Sequence, residues 1–321
     1  MKTLYFDCFA GASGNMVLGG LIDLGIDPDE LIRRLKGLSV ANFEVEYKKV
    51  DRSGISAMHV DVVVHAETKH RHLHNIERII DEFDLSEQVK SRSKAIFTRL
   101  AEAEATVHGI EIKKVHFHEV GALDAIVDVV GSCIGFEMLG IERFVGSKIN
   151  VGSGFVTMEH GTYPVPPPAV ANLLEGIPAY SNDVQGELLT PTGAAIISTL
   201  CDSYGPMPEM VLEKTGYGAG SRTYEAFPNV LRMIVGKTHQ AKIKAGDAGL
   251  VAESLVLLET NLDDLSPQIV GFVQEKALDL GALDCWVTPI QMKKNRPAAL
   301  ISILCSEDRK DAMTEMLFLE T

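Results

Sequence analysis

Residues 4–9 form a short apolar run, closed by the small-residue loop Ala10-Gly11-Ala12-Ser13-Gly14 and followed by apolar positions at helical spacing from Asn15 to about Leu24. The pattern predicts a strand, a tight loop and a helix. Residues 44–50 and 55–65 alternate apolar with polar or β-branched side chains around Asp51-Arg52-Ser53-Gly54, which predicts a hairpin. A polar stretch at 66–74 precedes two amphipathic helices, expected near 75–83 and 86–108. Residues 124–139 are dense in Ile, Val and Gly with few charges, the composition of a buried helix, and 143–150 reads as a strand. The Gly- and Pro-rich stretch 151–192 predicts mainly ordered loops. Gly216-Tyr217-Gly218-Ala219-Gly220 reads as a further small-residue loop, and 230–235 as a strand.

A polar stretch at 237–252 then interrupts the apolar pattern, as an interdomain linker would. Beyond it the order strand, helix, strand, strand, helix, over 254–259, 267–280, 285–291, 298–304 and 308–317, is that of a ferredoxin-like domain without its last strand. The expected fold class is α/β (α+β), with a larger N-terminal mixed α/β domain at 1–236 carrying long Gly/Pro-rich loops. The linker 237–252 and an incomplete ferredoxin-like domain at 253–321 follow. The sequence stops at Thr321, where the last strand would begin, so an unpaired sheet edge and association into a homo-oligomer are expected.

Composition narrows the partners. With 46% hydrophobic residues in 321, the chain buries cores of ordinary size, and its length favours more than one domain. A net charge of -14 repels phosphate at long range, which argues against nucleic acid and anionic membrane as partners; any phosphate ligand needs a local basic cluster. Asp7 interrupts the apolar start that a signal peptide needs, and no apolar run is long enough to cross a bilayer. Cys8, Cys133, Cys201, Cys285 and Cys305 are scattered and never spaced as Cys-x-x-Cys, which suits a reducing cytoplasm.

The strongest chemical pattern is His116-Phe117-His118-Glu119, followed by Asp124 and Asp128. In an extended segment His116 and His118 share a face while Phe117 anchors the other. Imidazole with carboxylate suits Zn, Ni, Cu or Fe. Asp124 and Asp128, at i and i+4 on a helix, either complete that shell or bind a harder cation, unless the acids serve as helix caps and the histidines are structural. His70, His72 and His74, preceded by His65, form a second set suited to transient metal capture, or a solvated basic loop. His160 alone reads as structural or as one added ligand. Asp7 and the loop 10–14 make a strand-to-helix turn able to hold an anion, without a P-loop or dinucleotide signature. Near the C-terminus, Lys293-Lys294-Asn295-Arg296 is a candidate triphosphate clamp and Asp263-Asp264 a candidate Mg²⁺ or Mn²⁺ pair; a solvated hairpin tip and a helix cap at Asp264 or Ser266 are the alternatives.

Taken together, Phe6 through Met16, His116 through Asp128, Val151-Gly152-Ser153-Gly154, His160-Gly161, Pro164-Val165-Pro166, Glu187 through Gly193, Gly216-Tyr217-Gly218, Glu259 through Asp264 and Gln291 through Pro297 resemble the LarC family of nickel-insertion proteins, in family order over nearly the whole chain. The resemblance implies a lyase-type nickel chelatase. It would insert Ni²⁺ into pyridinium-3,5-bisthiocarboxylic acid mononucleotide and cleave CTP with Mg²⁺ or Mn²⁺, making the nickel-pincer cofactor for a client such as lactate racemase. On that reading His70, His72, His74, His116, His118 and Glu119 present nickel. Gly11, Ser13 and Gly14 hold the substrate phosphate, and Asp263, Asp264, Lys293, Lys294 and Arg296 hold metal–CTP. Asp7, Asp124 and Asp128 take the catalytic roles. The alternatives are a nickel chaperone or store without chemistry and, from local residues alone, a metal-dependent nucleotide hydrolase or nucleotidyltransferase. The chain departs from the family pattern at Asn15, where an Asp is expected, and this removes a charge.

Overall fold

The computed structural model of the protein describes residues 1–37, 43–65, 71–115, 117, 123–158, 161–238 and 255–321. The chain divides into two compact units, Met1–Gln240 and Ala241–Thr321. Residues 239–254, most of the expected linker, lie outside the described residues, and the strand before them runs on to Thr238.

In the first unit the elements are β1 (Lys2–Asp7), α1 (Gly14–Asp23), α2 (Pro28–Leu35), β2 (Phe43–Arg52), β3 (Ile55–Val64), α3 (Leu73–Asp81), α4 (Glu87–His108), α5 (Leu123–Leu139) and β4 (Arg143–Gly146). Then come the short strands β5 (Ile149–Asn150), β6 (Gly152–Ser153), β7 (Phe155–Met158) and β8 (Gly161–Pro164), helix α6 (Pro168–Leu173), and strands β9 (Ala179–Tyr180) and β10 (Gly186–Glu187). Helix α7 (Pro191–Leu200), β11 (Ser203–Tyr204), β12 (Met210–Ala219) and β13 (Val230–Thr238) close the unit. Seven strands form one mixed sheet in the order β11-β4-β1-β13-β12-β3-β2. β1, β4 and β11 run parallel, and β13 lies antiparallel to both β1 and β12.

Alternation along β1 explains its two faces. Leu4 and Phe6 enter the main core with α1 and α5, whereas Tyr5 joins Val145 and Ile234 on the other side. Helix α1 lies between the sheet and α5, and glycines make that possible. A Cβ on Gly135 would stand 2.7 Å from Leu21, and one on Gly131 2.9 Å from Leu18. Side chains of α1 therefore seat directly on the α5 backbone.

The same cause overturns one expectation from sequence. The glycine-rich stretch 216–220, read as a loop, is strand as far as Ala219, the last four residues of β12. A Cβ on Gly218 would overlap the Met16 carbonyl oxygen, and one on Gly216 would stand 2.6 Å from that of Gly20. These glycines mark the close approach of α1 to a strand, not a turn. Residues 143–150 also differ from one strand: β4 stops at Gly146, β5 begins at Ile149, and Ser147 and Lys148 separate them. Among the described residues, the stretch 151–192 contains five short strands, α6 and the start of α7 besides its loops.

The hairpin, α3, α4 and α5 fall within a few residues of their expected places. In α4 the Ser86 hydroxyl accepts from the Val89 N–H, and Gly109, at a φ of 61°, ends the helix in the left-handed conformation.

The second unit contains β14 (Val256–Leu262), α8 (Pro267–Asp279), β15 (Asp284–Met292), β16 (Arg296–Cys305) and α9 (Lys310–Glu320). Its antiparallel sheet has the order β14-β16-β15, which is the 1-3-2 arrangement of a ferredoxin-like fold. Ile301, Ile303 and Cys305 of β16 pack against Val273 and Ala277 of α8 and Met313 and Met316 of α9. Among the described residues no helix is long and apolar enough to cross a membrane.

Candidate functional site

A cavity of about 420 Å³ opens in the first unit where the starts of two helices meet. Ser13, Gly14 and Asn15 line it from the start of α1, and Thr190, Pro191 and Thr192 from the start of α7. The two starts are in backbone contact: a Cβ on Gly193 would stand 2.6 Å from the Ala12 carbonyl carbon. Thr190 caps α7 through the Gly193 N–H at 3.2 Å, whereas the Ser13 hydroxyl turns to Asn15 Oδ1 and does not cap α1. The positive end of the α1 dipole thus faces the cavity without a side-chain cap. The Asn15 amide donates to the Val60 carbonyl at 3.3 Å and to Ser221 Oγ at 3.4 Å, tying α1 to β3 and to the loop after β12.

Asp124 and Asp128 reach the cavity from α5, joined by Asp61 of β3, Glu187 of β10 and the cation Arg222. Asp128 is the unusual member. Its Oδ1 is inaccessible to solvent and has no hydrogen-bond partner among the described residues. Burial pushes its carboxyl well above the usual carboxylate range, and the negative charges of Asp124 and Asp61 push the same way. Gly14 makes room for it, because any Cβ there would overlap the carboxylate. A buried carboxyl whose ionised form is disfavoured in this way gains from an arriving cation, which would stabilise that form.

Backbone pairing joins Arg71, the neighbour of His72, to Phe117. Phe117 is 2% exposed, packs edge-on against Phe97 at 6.4 Å, and forms an antiparallel bridge with Arg71 in which its N–H donates to the Arg71 carbonyl at 3.2 Å. Phe117 itself is therefore seated in the core. His72 Nδ1 lies 2.9 Å from the Val115 carbonyl, and the His72 and His74 rings stack at 5.4 Å. Donation to that carbonyl selects the tautomer with its lone pair on Nε2, the form in which imidazole ligates a metal. His70, His116, His118, Glu119 and His160 lie outside the described residues, as does the helix start expected at Gly121. His65 stands apart at the end of β3, 3.6 Å from Glu44. Among the described residues no three His, Cys, Asp or Glu side chains gather closely enough to hold a metal.

Asp7 is not brought to this cavity. Its Oδ2 accepts from both Nε, at 2.8 Å, and Nη2 of Arg232, and it lines a separate cavity beside Tyr5 and Lys148. Gly11 serves the backbone: its φ is 71°, and a Cβ would overlap the Leu188 carbonyl, while the Ala12 N–H donates to that same oxygen at 3.0 Å.

In the second unit the sheet register gathers the expected nucleotide residues at one end. Leu262 pairs with Ala299 and Met292 with Arg296, so Asp263, Asp264 and the 293–295 turn flank the same edge. Arg296 Nη1 donates to Asp263 Oδ2 at 3.2 Å, and Lys293 and Lys294 are exposed. Lys294 and Asn295 adopt left-handed φ values of 61° and 57°, a conformation that only a tight turn enforces on non-glycine residues. Ser266 caps α8 through the Ile269 N–H, as one sequence alternative held.

The sequence profile of the family described as nickel insertion protein matches residues 4–321. The chain belongs to that family. The pyridinium-3,5-bisthiocarboxylic acid mononucleotide nickel insertion protein of Desulfitobacterium hafniense strain DSM 10664 is 46% identical over 321 residues, covering 100% of this chain and 79% of its own. The protein of that name from Acetivibrio thermocellus is 43% identical over 332 residues, covering 100% and 80%. A solved structure described as LarC2, the C-terminal domain of a cyclometallase involved in the synthesis of the NPN cofactor of lactate racemase, apo form, is 40% identical where it matches. It covers 21% of this chain and 46% of its own, with a TM-score of 0.21.

For this nickel insertion family member, sequence reasoning assigned no role to several cavity residues. Asp61 and Arg222 carry little local signal, being one acid in an apolar strand and one base in a loop. Glu187 and Thr190 stood in a matched segment without an assigned role; both line the cavity, Thr190 from the start of α7 and Glu187 from β10.

Proposed function

We propose that this chain inserts nickel into pyridinium-3,5-bisthiocarboxylic acid mononucleotide in a reaction that cleaves CTP to CMP and pyrophosphate, as a lyase-type chelatase of the cytoplasm. Its product would serve a client such as lactate racemase. One observation carries the reading: the segments matched at residues 13–15, 124–128 and 187–192 converge on a single cavity.

Within that cavity the uncapped α1 start, with Ser13 and Gly14, the α7 start and Arg222 suit the substrate phosphate. Asp124 and Asp128 would draw the cationic nickel, delivered by His70, His72, His74, His116, His118 and Glu119. Asp7, held by Arg232 elsewhere, has a supporting part only. The exposed Lys293, Lys294 and Arg296 suit the CTP phosphates, and Asp263 and Asp264 offer the carboxylate oxygens that Mg²⁺ or Mn²⁺ prefers. Nucleotide cleavage has a physical purpose here, because a site tight enough to collect a scarce ion also retains it unless release is coupled to another free-energy change.

Anaerobic incubation with nickel, Mg²⁺ or Mn²⁺, CTP and the thioacid mononucleotide, read by mass spectrometry, should yield a nickelated product only when CTP is present. Equal product without CTP overturns the coupled reaction. Nickel binding without product would mark a store, and CTP cleavage without nickel or thioacid a hydrolase. Lys293→Ala with Lys294→Ala should selectively weaken CTP binding.

A further inference from the structure

Strand β2 ends the seven-stranded sheet of the first unit. It pairs with β3 along one side, in unbroken register from Phe43 with Val64 to Arg52 with Ile55, and among the described residues no strand pairs with its other side. An edge strand of ten residues leaves a row of backbone N–H and C=O groups open, and folded chains ordinarily blunt such an edge with a proline, a bulge, a short strand or a row of like charge. β2 has none of these. Its sequence contains no proline, and its register to β3 has no shift. Residues 46–49 are all exposed, so neither face is covered at mid-strand.

The charges along this edge suit one kind of partner. Glu44 and Glu46 precede Tyr47, and Lys48 and Lys49 follow it. Lys49 is used within the chain, 3.6 Å from Asp23, and Glu44 lies beside His65. Glu46 and Lys48 have no ion-pair partner among the described residues. A strand with acids before its middle and bases after it is its own complement when turned end for end. With Tyr47 on a twofold axis, antiparallel pairing sets Glu46 opposite the partner's Lys48, twice. Positions two apart share a face, so both pairs lie on one side of the joined sheet. On that side a hollow of about 370 Å³ opens along the edge between Glu46, Lys48, His59 and Asp61, which leaves the paired side chains room to meet. Tyr47, 41% exposed, points to the other side and meets its own copy across the axis.

We propose that two copies of this chain pair through β2, antiparallel about Tyr47, and so join their seven-stranded sheets into one continuous sheet. The same patch serves both copies, so the contact closes at two. Chains of net charge -14 repel at long range, which makes the contact depend on the local Glu46–Lys48 pairs. It is separate from the β14 edge of the second unit, and it stands whether or not the nickel reaction does.

Sedimentation equilibrium of the full chain tests the pairing. Lys48→Glu alone, or Glu46→Lys alone, sets two like-charged pairs face to face; either should weaken self-association about tenfold or more and halve the mass in solution. Mixing the two variants should restore the mass, because every cross-strand pair is then Glu opposite Lys, and so should Glu46→Lys combined with Lys48→Glu in one chain. All these positions are exposed, and circular dichroism checks that the variants are folded. Tyr47→Cys, mildly oxidised, should give a disulfide-linked dimer, since the two Cα atoms would stand about 4.5–5.5 Å apart across the axis. Asp51→Cys, about 27 Å from its own copy in this register, should not. Single reversals that leave the mass unchanged, a mixture that stays as small as its parts, or Tyr47→Cys that links no better than Asp51→Cys would each overturn the proposal.

Discussion

Replacing Phe117 by alanine tests how the histidine segment is held. The ring is 2% exposed, meets Phe97 edge-on at an interplanar angle of 65°, and sits at the bridge to Arg71. Burial of such a ring is worth about 1.5–3 kcal/mol by transfer. The cavity left behind adds to this, so Phe→Ala truncations cost about 3–5 kcal/mol. A cooperative unit of this size loses about 2–4 °C per kcal/mol, so calorimetry should place the first unit's Tm about 6–20 °C lower. Phe117→Leu keeps most of the volume and should cost about 1–2 kcal/mol. Nickel affinity, measured by competition with a chelator at a temperature where both variants are folded, should fall about tenfold or more for Phe117→Ala and within about threefold for Phe117→Leu. The reason is that Phe117 stands between His116 and His118 and pairs beside His72. A Tm change below about 2 °C for Phe117→Ala would show that the ring does not anchor the segment. Unchanged nickel affinity in the folded variant would show that the histidines do not depend on it.

Four further substitutions have outcomes fixed by their surroundings. Asp128 has a folded-state pKa raised by burial and by Asp124 and Asp61, so the native chain keeps a proton that the unfolded chain releases above about pH 3.9; stability from this group declines as pH rises from there through the folded value. Asp128→Asn should therefore raise Tm by an amount that grows as pH rises above about pH 4, and a gain that shrinks with rising pH would contradict the assignment. Gly218→Ala, which drives a Cβ into the Met16 carbonyl, should cost about 1–3 kcal/mol or more in urea unfolding, while Gly271→Ala, inside α8 with nothing within 4 Å, should stabilise the second unit by about 1 kcal/mol. Asp7→Ala removes both Arg232 bonds and should cost about 1.5–3 kcal/mol; loss of nickel binding without loss of stability would instead restore Asp7 to a direct role.

The local pattern determined a good deal by itself. Period-2 alternation and turn chemistry located β2 and β3, and 3.6-residue periodicity located α4, because those signals depend on near neighbours along the chain. Residue types marked Asp124 with Asp128 and, separately, Ser13 and Gly14 with Asp7; only the folded chain places Asp124, Asp128, Ser13 and Gly14 on one cavity. Tertiary structure alone decided the rest. The glycines at 216–219 were legible as small residues but not as a strand, since the reason for them is the α1 backbone about 200 positions earlier. Asp7 looked like a partner of the nearby loop, yet Arg232 across the sheet holds it in a different cavity. Asp61, Glu187 and Arg222 join the site from distant segments, and a lone charge carries no mark of what it will face after folding. Periodicity reports which way a side chain points from its own element, whereas long-range packing decides what it meets there.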